Sequence, residues 1–102
     1  MKIPKNIIFG ELAAKKKNKI LKAIKNKKYV FDVYIITLPT ASGILEIYPS
    51  YILTKQDYID NDITIVGIAR GKDEAMEIVS DVLLDCYKKL NSFDTKKYFA
   101  ER

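Results

Sequence analysis

The sequence predicts an α+β fold, with a small, mainly antiparallel three-stranded sheet and packed helices in the order α-β-β-(short α)-β-α. Two observations lead to this prediction. A lysine-rich segment with helical periodicity precedes a run of β-branched and aromatic residues, and a long amphipathic segment follows the last strand-like run. The chain of 102 residues has the usual length of one domain. We therefore expect residues 1–102 to form a single α+β domain.

The first predicted helix covers residues 10–28 and is strongly basic. It is rich in Lys, Ala, Leu and Ile and contains no proline. On a helical projection its apolar side chains share one arc. Lys17 lies within that arc, so we expect its methylene stem to pack while its ammonium group reaches water. The lysines on the opposite half are Lys15, Lys16, Lys19, Lys22 and Lys25.

Residues 29–70 are expected to supply the strands. The segment YVFDVYIITLP at 29–39 has the β-branched and aromatic content of a strand. Both of its faces are apolar, so it is either covered on both sides or packed against a partner chain. PTASG at 39–43 is a predicted loop. ILEIY at 44–48 is a second strand that pairs with the first, and DITIVGIA at 62–69 is a third.

The second predicted helix covers residues 72–91 and is amphipathic. Asp73, Glu74 and Glu77 lie in its first turns, and Lys88 and Lys89 lie in its last turn, which matches the helix macrodipole at both ends. Its predicted core-facing stripe consists of Ala75, Met76, Val79, Val82, Leu83, Cys86, Tyr87 and Leu90.

Three segments need separate interpretation. Residues 50–60 are compatible either with a short helix capped by Ser50 or with a loop. The fourteen residues at 49–62 are also long enough for a parallel crossover, although an antiparallel meander is the first expectation. The C-terminal segment SFDTKKYFAER is predicted to form a short helical tail that packs Phe93 and Phe99.

Composition argues against several classes of protein. The absence of histidine removes imidazole acid–base chemistry and most zinc sites. The single cysteine, Cys86, cannot form an internal disulfide, and its place on the apolar stripe predicts an inert buried thiol. No apolar run approaches the ~20 residues needed to cross a bilayer, and the N-terminus lacks the apolar stretch of a signal peptide. We expect a cytoplasmic protein without catalytic residues, metal ligands or a cofactor.

The net charge of +5 hides an asymmetry along the chain. Residues 1–28 carry ten lysines and one glutamate, which gives +9, whereas residues 29–102 carry eight cations and twelve carboxylates, which gives −4. The basicity therefore belongs to the N-terminal element, and such an asymmetry suggests a polyanionic partner.

The lysine face has several interpretations. Cations spaced along one helix face suit the phosphates of DNA or RNA, where counterion release drives binding without sequence preference. Asn18 and Asn26 would add hydrogen bonds. A solvated face in a lysine-rich sequence is the favoured interpretation, and an acidic protein surface is a further alternative. Membrane binding is the weakest alternative, because the helix has few large apolar residues and no Trp or Phe to insert among headgroups.

The segment IVGIARGKDEA at 65–75 has a strand, a glycine turn and a helix start, which are the ingredients of a phosphate cradle, with Arg70 and Lys72 as added charge. It lacks the spacing of either common phosphate-binding motif. The preferred interpretation is structural: Gly71 supplies the turn, and Gly67 permits close packing of a helix on the sheet.

The tyrosines and two carboxylates each have a functional and a structural interpretation. Tyrosines on an exposed sheet face could stack single-stranded bases, but ordinary packing under helices is favoured; Tyr51 and Tyr58 are expected to be the most exposed. Asp32 could form a carboxylate pair with Glu46 on the neighbouring strand, but an exposed or lysine-paired Asp32 is favoured. The tyrosines considered are Tyr29, Tyr34, Tyr48, Tyr51 and Tyr58.

Three segments together resemble a group of short, uncharacterised proteins from gut Firmicutes: YVFDVYIITLP, ILEIYPS and IVGIARGKDEAMEIV. That group has a basic N-terminal helix, an FDVY strand and a VGIA–G–(D)EA strand–helix junction. The resemblance covers about residues 15–99. It implies a bacterial cytoplasmic protein, and it carries over no activity and no site residues.

The first functional hypothesis is a non-enzymatic binding module. Its most specific version contacts the backbone of DNA or RNA through the five lysines of the first helix, with no base readout. One alternative is a self-associating structural or regulatory protein, a homodimer for example, which the two apolar faces of the segment at 29–39 suggest. Another alternative is an enzyme that uses Asp32, Glu46 or a lysine as acid or base. No small-molecule ligand and no membrane partner are predicted.

Overall fold

The computed structural model describes residues 1–39, 43–55 and 63–102. Within those residues the chain forms a four-stranded mixed sheet and four α-helices, so the predicted α+β class is confirmed. The elements in chain order are β1 (Ile8–Phe9), α1 (Glu11–Ala14), α2 (Lys17–Lys25), β2 (Val33–Thr37), β3 (Glu46–Pro49), a 3₁₀-helix (Ser50–Thr54), β4 (Ile65–Arg70), α3 (Lys72–Leu90) and α4 (Thr95–Glu101).

The sheet contains a strand that sequence analysis missed. Its order is β1-β4-β2-β3, with β2 antiparallel to both β3 and β4, and β1 parallel to β4. The expected three-stranded antiparallel sheet is therefore wrong in detail. The expected meander is also wrong, because β2, and not β3, lies between the other two predicted strands. Strand β1 is two residues long and pairs Ile8 with Gly67 and Phe9 with Ile68. Two residues cannot show the period-two alternation by which strands are predicted, so only pairing with β4 identifies it.

The predicted first strand is shorter than its sequence pattern. Residues 29–32 lie outside β2, and Asp32 has a positive φ of 60°. The Asp32 carbonyl accepts a hydrogen bond of 2.6 Å from the N–H of Gly71, whose φ is 85°. This pair of turns at the ends of β2 and β4 confirms the turn role predicted for Gly71. The expected pairing of the first two strands is confirmed by β2 and β3, and residues 40–42 of their predicted loop lie outside the described residues.

The expected continuous helix at 10–28 is broken into α1 and α2. Lys16 has φ −129° and ψ 39°, and its N–H bonds to the carbonyl of Ala13, which closes the end of α1 as a tight turn. Local propensity favours one helix here, but tertiary contacts override it. Helix α1 is held to the start of α3 by a side chain, and α2 packs Ile20 and Ile24 into the core.

Both faces of β2 are covered by this chain itself. Val33 and Ile35 face a core cluster that includes Ala13, Ile20, Ile24 and Leu53. On the other face of the sheet, Ile36 joins a second cluster that is built mainly from α3 and α4. The two apolar faces of β2 therefore give no support to a partner chain on that strand, because the helices of the chain already bury them.

Helix α3 confirms the second predicted helix to within a residue at each end, but it is rotated relative to the predicted stripe. Ile78, absent from that stripe, is buried, whereas Met76 and Tyr87 are about half exposed. The segment has more apolar residues than the sheet can cover, so sequence periodicity alone did not identify which ones face inward. The buried residues of α3 are Ala75, Ile78, Val82 and Cys86.

The remaining predictions have mixed outcomes. The C-terminal helix is present as α4; Phe99 packs on the second cluster, whereas Phe93 is half exposed and contacts the ring of Tyr87. Ser50 begins a 3₁₀-helix and is buried, with its hydroxyl bonded to the backbone of Val30 instead of capping a helix. Residues 56–60 lie outside the described part of the chain. No described helix is long and apolar enough to cross a membrane.

Candidate nucleic-acid interface

The five lysines predicted to contact phosphate are all exposed. In the described part of the chain, none of them forms a salt bridge with a carboxylate. Lys19, Lys22 and Lys25 project from α2 on the side opposite to Ile20 and Ile24, which anchor the helix in the core. Packing on the sheet thus fixes the direction in which this part of the lysine face points.

Lys15 and Lys16 are placed differently from the other three. Both lie at the break between α1 and α2, where Lys15 ends α1 and Lys16 precedes α2. The expectation of five lysines on one continuous helix is therefore wrong. Lys17 also begins α2, and its ammonium lies 5.2 Å from the centre of the Phe9 ring, which supports the prediction that its stem packs and its charge remains in water.

A cleft beside α2 brings together cations from separate parts of the chain. Its volume is about 400 Å³. Lys16 lines it from the residue before α2 and Lys19 from α2 itself. Lys28 reaches it from the connection to β2, and Arg70 from the end of β4. We call this site the basic cleft. Its other lining residues are Ile20, Ala23, Tyr29, Val30, Phe31 and Val33.

Strand pairing explains how Arg70 arrives at the basic cleft. Arg70 is the last residue of β4 and lies opposite Val33, the first residue of β2, in the antiparallel register. Residues 28–31 precede Val33 and therefore lie beside the same end of the sheet. Sequence analysis missed Lys28 and Arg70 as site residues, because only the β2–β4 pairing places them next to α2. The local signal that was present is the adjacency of Lys28 to Tyr29 and Phe31.

The two aromatic residues of the basic cleft are exposed to solvent. The side chain of Tyr29 is 52% exposed and that of Phe31 is 77% exposed, the highest value among the exposed large apolar residues in the described part of the chain. Tyr51 is likewise 52% exposed, so the expectation that it would be more exposed than Tyr29 is wrong. Tyr34 and Tyr48 are partly buried, and Tyr58 lies outside the described residues. The basic cleft therefore combines positive charge with exposed rings.

No phosphate cradle is supported at the start of α3, because a carboxylate of this chain already uses the nearby donors. Glu74 accepts hydrogen bonds from the N–H groups of Leu12 at 2.7 Å, Ala13 at 3.1 Å and Arg70 at 3.0 Å. Burial alone would raise the pKa of the Glu74 carboxyl. The three N–H donors and the charge of Lys15 outweigh that effect and lower the pKa below its usual value.

Gly67 has a role different from the predicted one. A Cβ atom at this position would lie 3.2 Å from Cδ1 of Ile36 on the neighbouring strand β2. The absence of a side chain at Gly67 therefore makes room for the side chain of Ile36 within the sheet. This position is next to the point where the β2–β4 register shifts between Ile36 and Thr37.

The carboxylate pair considered for catalysis is not formed. Glu46 lies opposite Thr37 in the β2–β3 register, whereas Asp32 precedes Val33 at the other end of β2, roughly 17 Å away at 3.3 Å per residue. Asp32 is exposed, as favoured above. Tyr48 donates a hydrogen bond to Glu46, and this contact, together with burial, raises the pKa of Tyr48 to about 12.

A metal-ligand cluster and the single cysteine were the two other possible sites in the described residues. Among the described residues there is no cluster of three Cys, Asp or Glu side chains that could hold a metal ion. Cys86 is fully buried, as predicted, and burial raises the pKa of its thiol, which disfavours the reactive thiolate.

Comparison of the chain with protein-family models, with curated proteins and with solved structures found no match. The feature of the described residues that points to a function is the basic cleft.

Proposed function

We propose that this protein is a non-enzymatic nucleic-acid-binding module that holds the phosphate backbone with the cations of the basic cleft and the adjoining face of α2. One observation carries the proposal: Lys16, Lys19, Lys28 and Arg70 come from separate parts of the chain to line one cleft. Lys22 and Lys25 extend this charge along α2. Each phosphate that such cations neutralise releases counterions, which favours binding.

The distribution of negative charge supports the proposal. Carboxylates line a different cleft, of about 430 Å³, between the β1–α1 segment and α3. No carboxylate is found among the residues that line the basic cleft. Four of the five carboxylates of α3 therefore line that other cleft, whereas Asp32, which is exposed between the lining residues Phe31 and Val33, offsets part of the positive charge of the basic cleft. The acidic cleft is lined by Glu11, Asp73, Glu74, Glu77 and Asp81.

The first test is a salt titration of binding by fluorescence anisotropy, with a labelled 20-nucleotide DNA probe in single-stranded and duplex form. Six phosphate contacts predict a slope of log affinity against log salt of about −4 for the single strand and about −5 for the duplex. The double variant K19E/K28E should reduce the size of the slope by about 2, because it removes two phosphate contacts.

The matched control is K96E/K97E. Lys96 and Lys97 are exposed lysines of α4, which packs with α3 on the other face of the sheet. Two Lys-to-Glu changes lower the net charge from +5 to +1 in either double variant. If the basic cleft binds the probe, K19E/K28E should therefore weaken binding more than K96E/K97E does. The proposal is wrong if the probe is not bound at low salt, or if both double variants weaken binding equally.

The second candidate function is self-association through α3, and one observation favours it. Met76, Leu84 and Tyr87 are 53%, 60% and 51% exposed and share one face of α3. A second copy of the chain could cover this face in a symmetric helix–helix contact. Light scattering coupled to size exclusion should then give about twice the chain mass of 11.7 kDa, and L84E should restore the monomer. A monomer at tens of micromolar rules this candidate out.

A further inference from the structure

We infer that the basic cleft takes single-stranded in preference to duplex nucleic acid, with unpaired bases stacked on Tyr29 and Phe31. This inference rests on the proposed function and adds to it the class of nucleic acid. The inference adds base stacking to the phosphate contacts. Phosphate contacts alone would not distinguish a strand with bases from a strand without them.

The position of Phe31 is the first argument. A phenylalanine ring that is 77% exposed gains little from hydrophobic burial in the free protein. Phe31 nevertheless has a defined place, because the next residue, Asp32, forms the turn whose carbonyl accepts a 2.6 Å hydrogen bond from Gly71. The ring is therefore displayed by a fixed turn at the edge of the basic cleft.

The residues that surround the two rings provide the second argument. Tyr29 and Phe31 line the same cleft as four cations, over a floor formed by apolar side chains of α2 and the start of β2. Aromatic rings bind the faces of unpaired bases, and neighbouring cations bind the phosphates of the same strand. A volume of about 400 Å³ lies within the range of small-ligand sites, which is enough to seat a base.

Duplex nucleic acid fits this site less well. Its bases are stacked on one another and paired inside the helix, so an exposed ring cannot reach their faces without base flipping. Yet the duplex has the higher density of phosphate charge and would bind more tightly if charge alone mattered. A preference for the single strand therefore reports the rings and not the lysines.

The test uses the full chain and four labelled probes of 12 nucleotides or base pairs: oligothymidylate, oligouridylate, an abasic DNA strand and a DNA duplex. The abasic strand keeps every phosphate and lacks the bases. We expect the wild-type protein to bind oligothymidylate at least ten-fold more tightly than the abasic strand, which corresponds to about 1.4 kcal/mol. The duplex should bind more weakly than oligothymidylate. Oligouridylate distinguishes RNA from DNA as the preferred strand.

Substitutions of the two aromatic residues test whether their rings cause the difference in affinity between oligothymidylate and the abasic strand. Y29A/F31A should lower the affinity for oligothymidylate to that for the abasic strand, with the abasic affinity and the salt slope unchanged, because neither ring is charged. Y29F/F31Y retains both rings and should bind like the wild type. Y51A is the control for removal of an exposed ring outside the site, since Tyr51 is 52% exposed, as Tyr29 is, and lies outside the cleft lining.

Several results would overturn the inference: equal affinity for oligothymidylate and the abasic strand, tighter binding of the duplex, or no effect of Y29A/F31A. Circular dichroism of each variant verifies folding, and the retained abasic affinity does so independently. If all probes bind equally and K19E/K28E weakens them, the inference fails while the proposed function stands. If no probe binds at low salt, both fail.

Discussion

The carboxylate of Glu74 is predicted to be a major determinant of how the N-terminal segment is held to the body of the protein. It accepts hydrogen bonds from Leu12 and Ala13 at the start of α1 and from Arg70 at the end of β4. The residue before α1 is Gly10, which has no side chain to cap the helix. A carboxylate from α3 thus satisfies donors that an N-terminal cap would normally satisfy.

The substitution Glu74→Ala should lower the free energy of unfolding by about 2 kcal/mol. Loss of an N-terminal cap, here the bonds to Leu12 and Ala13, costs about 0.5–2 kcal/mol. The N–H of Ala13 is partly buried and would be left without an acceptor, so the cost should lie at the upper end of that range. The N–H groups of Leu12 and Arg70 are exposed and regain water, so they add little. The melting temperature should fall by about 10 °C in a chain of this size.

Urea denaturation followed by circular dichroism measures this difference, and its pH dependence checks the cause. The folded-state pKa of Glu74 lies below its usual value. The contribution of the Glu74 carboxylate to the free energy of unfolding is therefore complete above the unfolded pKa of about 4.3. It is lost as the pH falls through the folded pKa. The gap between wild type and Glu74→Ala should be constant from about pH 8 to 5 and should shrink below about pH 4.

Gly10 provides a second, independent test of the same contact. A Cβ atom at Gly10 would overlap the carboxylate of Glu74, so Gly10→Ala should displace it. The two substitutions should be non-additive, with a coupling free energy of about 1 kcal/mol or more in a double-mutant cycle. Glu77→Ala, on the exposed face of α3, is the control and should change stability by no more than about 0.5 kcal/mol. Equal effects of Glu74→Ala and Glu77→Ala, or additive effects of the Gly10 and Glu74 changes, would refute the reasoning.

Three further predictions concern single side chains. Thr37 is fully buried, and its hydroxyl has no hydrogen-bond partner in the described structure, so Thr37→Val should raise stability by about 1 kcal/mol in urea denaturation; a loss of that size would contradict it. The Tyr98 hydroxyl donates to Asp85 at 2.6 Å, and burial, followed by that bond, raises the pKa of Tyr98 to about 12. The contribution of this bond to stability is complete below the unfolded pKa of about 10 and is lost between about pH 10 and 12. Because Tyr48 also has a pKa of about 12, absorbance titration should show both tyrosines ionising near pH 12, and Tyr98→Phe should lose one of the two. Gly71 has a φ of 85°, so Gly71→Ala should cost about 1–2 kcal/mol by thermal denaturation, and an unchanged melting temperature would show that the turn relaxes.

Local chemistry explains which parts of the fold were predictable. Helix α3 has a long apolar periodicity with acidic residues at its start and basic residues at its end, and its bounds were predicted to within a residue. Strand β2 and its pairing with β3 followed from β-branched residues on either side of turn residues. These elements are specified by residues close in sequence, so pattern is sufficient for them.

The missed features depend on residues that are distant in sequence. Strand β1 exists only through its pairing with β4, and the break before α2 accompanies the contact of Glu74 with α1. Which apolar residues of α3 are buried is likewise decided by the surface on which the helix packs. In each case the deciding partner is about 60 residues away along the chain or belongs to another element.

The candidate site likewise has features that the sequence determined and features that only the tertiary structure decided. The sequence by itself determined that positive charge is concentrated in the first 28 residues and that histidine-based chemistry is absent. Only the tertiary structure decided that Lys16 and Lys19 share a cleft with Lys28, Arg70 and two exposed rings. The physical reason is that a charge count depends on composition alone, whereas a binding site needs side chains to converge. Here that convergence follows from the antiparallel register that sets Arg70 opposite Val33.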